Sequence, residues 1–276
     1  MLGFWPSDGV LLVTQASLVC GPRPALPPAL ARWRSATWAW LLLPLSLGGT
    51  IAVLALLPGL SVVYAWVAAV GVPVLAAVAL GSWFPARSRA TAAIAVLLAG
   101  CLLALAWVDH GALLGQAAAV ALTALSCCSI ASYLAGLAPW LVLRLALVAM
   151  AVLDAVLVFG RLLEKPNDTL NAAGAGGHLP HLQVAVFGSA LVGYGDLCVA
   201  AVLGNVIAAA AYPPWPPRWA VALLVLACSA LFDLLFLAVD TLPATVPVAA
   251  ALGLVEVRRH GQRHRAACDN RNDYQS

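Results

Sequence analysis

Two aspartates sit where an ionised side chain is costly. Asp154 lies in Val152-Leu153-Asp154-Ala155-Val156, and Asp196 closes Gly193-Tyr194-Gly195-Asp196, each between long apolar runs. A carboxylate in hydrocarbon loses its hydration, so residues of this kind face a bundle interior and mark proton handling or binding. Two carboxylates held close do not both ionise easily; one keeps a proton and the other does not. The ionised member of such a pair can take a proton from water while the protonated member polarises a carbonyl. The pair titrates as a unit, and its chemistry is hydrolysis of an acyl bond such as a peptide.

The elements that must position these carboxylates follow from composition. Of 276 residues, 63% are hydrophobic and 9% are charged, against about 25% charged in soluble domains. So little polar surface cannot cover a water-soluble domain, and the chain must use lipid as its solvent. Stretches of about 20 apolar residues are needed to cross the hydrocarbon core. Eight qualify, at 38–58, 61–83, 91–108, 113–134, 139–160, 182–209, 219–238 and 240–257, and the shorter run 9–20 would make nine. No cleavable signal peptide is expected, because Asp8 and no Lys or Arg precedes that run. The expected fold is an all-α, polytopic transmembrane helical bundle of eight or nine spans. Barrel strands would alternate apolar and polar residues, and these runs are apolar on every face. Residues 1–138 form N-terminal transmembrane helices, 139–257 carry the chemistry, and 258–276 form a polar, basic tail expected to be disordered.

Orientation follows from Lys and Arg. Eleven of the fourteen fall on the side that holds the C-terminal tail; only Arg161 and Lys165 lie opposite, and Arg144 is inside a span, where it is expected to snorkel to the same face as the tail. That side, with the C-terminus, is expected to be cytoplasmic. In a helical reading, Asp154 is about 12 Å from the outer end of its span and Asp196 roughly 18–21 Å from the outer end of the next. Helix tilt can absorb the difference and let the two face each other near mid-membrane.

Two further features flank the pair. Gly193 and Gly195 remove side chains beside Asp196 and let another backbone approach, although small residues also serve tight helix contacts. Thr241-Leu242-Pro243-Ala244-Thr245-Val246-Pro247 opens the last span. Its prolines remove donors and leave carbonyls bare, so the segment either receives an extended peptide by strand-like pairing or makes a tight turn into a helix.

In this order, Asp154, Gly193-Tyr194-Gly195-Asp196 and Leu242-Pro243-Ala244 resemble the presenilin and signal peptide peptidase family, which has an Asp in one span, GxGD in the next and a PAL motif opening the last. Asp154-Ala155-Val156-Leu157-Val158-Phe159-Gly160 is most similar to signal peptide peptidases. The resemblance covers roughly residues 139–257 and implies an aspartyl endopeptidase that cleaves transmembrane helices within the bilayer. Asp154 and Asp196 would be catalytic; Gly193, Gly195, Leu242, Pro243 and Ala244 would bind substrate; no metal or cofactor is implied. Its partners would be the lipid bilayer and transmembrane peptides with cytoplasmic N-termini, such as leftover signal sequences. Two positions depart from the family pattern: Leu153 stands where Tyr is usual, and Thr245 where Leu is usual. The loop 161–181 is short and Gly-rich, so self-cleavage there is not implied. Ala- and Leu-rich usage suits a prokaryotic plasma membrane.

Other readings compete. Val192-Gly193-Tyr194-Gly195-Asp196 copies a potassium-channel filter string, whose carbonyls replace ion hydration, but no filter threonine precedes it and two spans follow. A proton-coupled carrier would use a carboxylate relay with Asp233, otherwise a water-facing residue at a helix end, as a third member. The prepilin peptidase family also uses GxGD, but its cysteine-rich insertion is absent. Nothing points to nucleic acid, and the seven cysteines read as small buried apolar residues. Asp109 and His110 belong to a loop, Asp240 to an interface, and the tryptophans to span ends.

Overall fold

In hydrocarbon every backbone N–H and C=O needs an internal partner, which makes the helix the default for each apolar stretch. A computed structural model describes residues 4–32, 45, 49, 60–84, 88–160, 180, 182–209, 216–237 and 242–273. They form α1 (Phe4–Leu18), a short α2 (Pro28–Ala31), α3 (Leu60–Gly81), α4 (Arg89–Val108), α5 (Leu113–Leu137) and α6 (Trp140–Phe159). Then come β1 (Val184–Phe187), β2 (Ala190–Gly193), α7 (Tyr194–Ala209), α8 (Arg218–Asp233), a 3-10 turn Leu234–Leu237, and α9 (Val246–Asp273). The protein is mostly helical, and α3, α4, α5 and α6 are long and apolar enough to cross a membrane. They coincide with the stretches expected at 61–83, 91–108, 113–134 and 139–160. Apart from residues 45 and 49, the stretch 38–58 lies outside the described residues, as does Asp240.

Two expectations are corrected. The stretch 182–209 is not one helix. Its first half is an antiparallel hairpin pairing Val184 with Gly193 and Phe187 with Ala190. The loop Gly188-Ser189 turns it, with Gly188 at a φ of 60° that favours glycine. Asp196 is therefore in the first turn of α7, and the hairpin rather than a long helical approach sets its position. The tail beyond Val257 is also not a loose end. Helix α9 continues unbroken to Asp273, since no proline follows Pro247, and Glu256 pairs with Arg259 one turn on, at 3.7 Å. Arg144 meets Glu256 of α9 at 2.6 Å and stacks over the Trp140 ring at 4.0 Å.

Helix α7 is the hub. Every residue from Leu197 to Ile207 is buried, as suits a helix apolar on all sides. It packs against α1, α5, α6, α8 and α9. Helix α5 presents a polar ladder to this centre. Thr123 donates to the Leu182 carbonyl, Ser126 bonds the Tyr194 hydroxyl at 2.8 Å, Ser132 reaches Asn205, and Gln116 accepts from the Gly188 N–H at 2.7 Å. These bonds hold the hairpin where lipid would not satisfy its backbone.

The C-terminal end of α1 presses backbone to backbone on α7 at Gly204, where a Cβ would run into the Val19 carbonyl. Arg218 of α8 clamps the same end, donating to the carbonyls of Val19 and Gly21 at 2.8 and 2.9 Å. Gly204→Val should cost about 1–3 kcal/mol through overpacking. Thermal unfolding in detergent would register it against Gly100→Val as control, since nothing lies within 4 Å of a Cβ at Gly100. Equal unfolding temperatures for the two variants would mean that α1 does not pack on Gly204.

Candidate active site

The buried face of α6 runs Leu143, Ala146, Leu147, Met150, Ala151, Asp154 and Leu157. This helical periodicity turns Asp154 into the bundle, where it is 8% exposed. The Asp196 carboxyl comes from the first turn of α7, which packs against α6. The two carboxyls thus come from neighbouring, packed helices.

Each is held by backbone that the sequence leaves free. Asp196 Oδ2 accepts the Gly193 N–H at 3.1 Å, so the carboxyl folds back onto the end of β2. A Cβ on Gly193 would sit 2.9 Å from that oxygen, closer than real contacts allow. Gly195 is different: a Cβ there would meet only the Met150 Cε, at 3.8 Å, an ordinary contact. If the pair hydrolyses peptides, Gly193→Ala should lower the rate about tenfold or more by displacing Asp196, while Gly195→Ala stays near wild type. Initial rates on one peptide separate the two, and equal rates would remove the steric role given to Gly193.

Asp154 Oδ2 accepts two bonds from one residue, the Thr245 N–H at 3.2 Å and the Thr245 hydroxyl at 2.6 Å. Thr245 is fully buried and is the N-cap of α9, its carbonyl accepting the Ala249 N–H at 3.1 Å. An N-cap threonine usually bonds the N–H two or three residues on. Here Pro247 occupies the first of those positions and has no N–H, and the hydroxyl turns to Asp154 instead. Sequence reasoning noted Thr245 only as a departure from the family pattern. The signal that could have found it is a hydroxyl two residues before a proline, at a helix start facing a carboxylate. Pro243 is buried and Leu242 and Ala244 are half-buried in the same segment. Of these, Ala244 is anchored through its carbonyl, which accepts Gln15 Nε2 of α1 at 3.0 Å.

Strand β2 borders the pair. Backbone groups in an antiparallel ladder alternate between facing the partner strand and facing away. The Gly193 N–H faces away from β1, since it goes to Asp196; two residues earlier, Leu191 faces away too, and it is 53% exposed. No further strand pairs with this edge among the described residues.

A second carboxyl pair lies elsewhere. Asp233, expected to face water, is buried at the end of α8 within hydrogen-bonding reach of the Asp8 carboxyl of α1. Among the described residues no cluster of His, Cys, Asp and Glu could hold a metal ion. Cys127, Cys128 and Cys198 are buried as free thiols. Compared with protein-family models, curated proteins and solved structures, the chain matches none.

Proposed function

We propose that the chain is an intramembrane aspartyl endopeptidase of the signal peptide peptidase kind, with Asp154 and Asp196 activating the attacking water. One observation carries the reading: two carboxyls, from consecutive packed helices of an apolar bundle, lie beside a strand edge that no further strand covers among the described residues. A transmembrane substrate hides its carbonyls in helical bonds and must unwind before attack. Once extended, it can add to the outer edge of β2 at Leu191, next to the Gly193 N–H that Asp196 holds. Its scissile carbonyl then lies next to Asp196, and the segment Leu242-Pro243-Ala244 flanks the other side through Thr245 and Asp154.

The filter string supports a channel less well. Tyr194, Gly195 and Asp196 open a helix, and the Tyr194 carbonyl accepts the Cys127 thiol at 3.6 Å, so these carbonyls do not ring an ion path. The Asp8–Asp233 pair favours one second reading, a proton-coupled carrier with two carboxyl stations. The deciding experiment incubates purified protein with synthetic transmembrane peptides in 18O water. Cleavage within the apolar stretch, with one 18O on the new carboxylate, supports the protease. A folded protein that cuts none of the peptides but moves protons or potassium across liposomes would sink it.

A further inference from the structure

Helix α1 lies outside the segment that carries both aspartates, yet one of its faces reaches three parts of the site's surroundings. Ser7 accepts the Ser189 N–H in the hairpin turn at 3.4 Å, Asp8 meets Asp233 of α8, and two turns further on Gln15 meets Ala244. Leu11, between them, is fully buried. Gln15 is 2% exposed, and burying an amide without a partner is costly, so its bond to the Ala244 carbonyl is an obligatory anchor rather than a surface contact. The carbonyl it holds belongs to the residue before Thr245, and Thr245 gives Asp154 both of its donors. Pro243 cannot donate an N–H to fix this segment.

We propose that Gln15 is a positioning residue: by holding the Ala244 carbonyl it fixes Thr245, and through Thr245 the orientation of Asp154. The inference rests on the protease reading for its effect on rate, but its structural half does not. Gln15→Met keeps the length and removes the donor. It should lower kcat about tenfold, the worth of one buried hydrogen bond, with KM nearly unchanged. Hydrogen exchange at the Thr245 amide should accelerate by a similar factor. Gln15→Glu supplies a signature that looser packing would not. The charged carboxylate repels the Ala244 carbonyl at neutral pH, whereas the protonated form can donate to it. Its rate relative to wild type should rise toward one as pH falls through the carboxyl range. Taking the ratio removes every ionisation that the two proteins share.

Wild-type kcat and exchange in a folded Gln15→Met variant overturn the inference and leave the protease reading intact. Should Gln15→Met fail to fold, the Gln15→Glu ratio decides: a rise supports the anchor, and a flat ratio overturns it. If wild type cleaves nothing, the protease reading fails, and exchange at Thr245 alone decides whether Gln15 fixes the segment.

Discussion

Asp154→Asn and Asp196→Asn should each reduce peptide hydrolysis by about a thousandfold or more, within the range general acid–base groups supply and beyond any single hydrogen bond. Asparagine keeps the shape and can still accept the Gly193 or Thr245 N–H, so the fold and the hairpin should survive. What it cannot do is hold or release a proton. In the proposed mechanism one proton serves two carboxyls, so the pair works as a unit and either substitution removes the whole function. The double variant should therefore be no slower than the single ones, as with groups that act together. Asp109→Asn, in the turn between α4 and α5, serves as the control for charge removal. Rates come from mass-spectrometric product counting, with folding checked by thermal unfolding in the same detergent. A variant that retains a tenth of wild-type activity would show that its residue is not part of the reacting pair. A double variant much slower than either single one would mean that the two carboxyls act separately.

The parts of the fold legible in sequence are those where hydrophobicity alone decides the outcome. Helices α3 to α6 each need only length and an apolar composition, and their ends follow the Gly, Pro and charged residues that mark the joins. The stretch 182–209 misleads for the same reason. Residues 182–187 and 190–193 are apolar enough for a span, but they form a hairpin because Gly188-Ser189 is a two-residue turn between β-branched and aromatic runs. Apolar content set the length of the stretch, and turn chemistry set its shape. The tail misleads in the opposite direction. Polar composition suggested disorder, whereas α9 continues unbroken, with Glu256 paired to Arg259 along the helix and to Arg144 across to α6.

The site is legible in part. Asp154 and Asp196 stand out because carboxylates in apolar runs are rare, and Gly193 because glycine beside such a residue leaves room for close approach. Their partners do not stand out. Gln15 lies 229 residues from Ala244, on a helix that sequence offers as no more than a short apolar run. Asp8 and Asp233 read singly as helix-end residues, and only the packing of α1 on α8 makes them a pair. Pairings of this range depend on which helices become neighbours, and in a bundle apolar on all faces the periodicity carries little information about neighbours.

Thr245→Val carries the second large effect, because it tests whether the departure from the family pattern is a loss or a working part. Valine has the shape of threonine with a methyl in place of the hydroxyl, so the buried position stays filled and the Thr245 N–H bond at 3.2 Å survives. The 2.6 Å hydroxyl bond does not. A hydrogen bond to a charged group contributes about 1.5–3 kcal/mol, which corresponds to a 10- to 150-fold fall in kcat if all of it is used in the transition state. Two donors converge on a single Asp154 oxygen, an arrangement that serves a carboxylate better than a neutral acid. Losing one should therefore slow the chemical step more than it weakens substrate binding. Thr245→Ser restores the donor and should recover most of the rate. Thr245→Leu, which installs the residue usual in the family, should do worse than Thr245→Val, since leucine must find extra volume at a fully buried position. Single-turnover rates across the three variants order them. If Thr245→Leu matches wild type, the hydroxyl has no part in the reaction and the segment acts only through its backbone. If Thr245→Val alone falls and Thr245→Ser recovers, Asp154 depends on a side chain that this chain supplies and the family pattern does not.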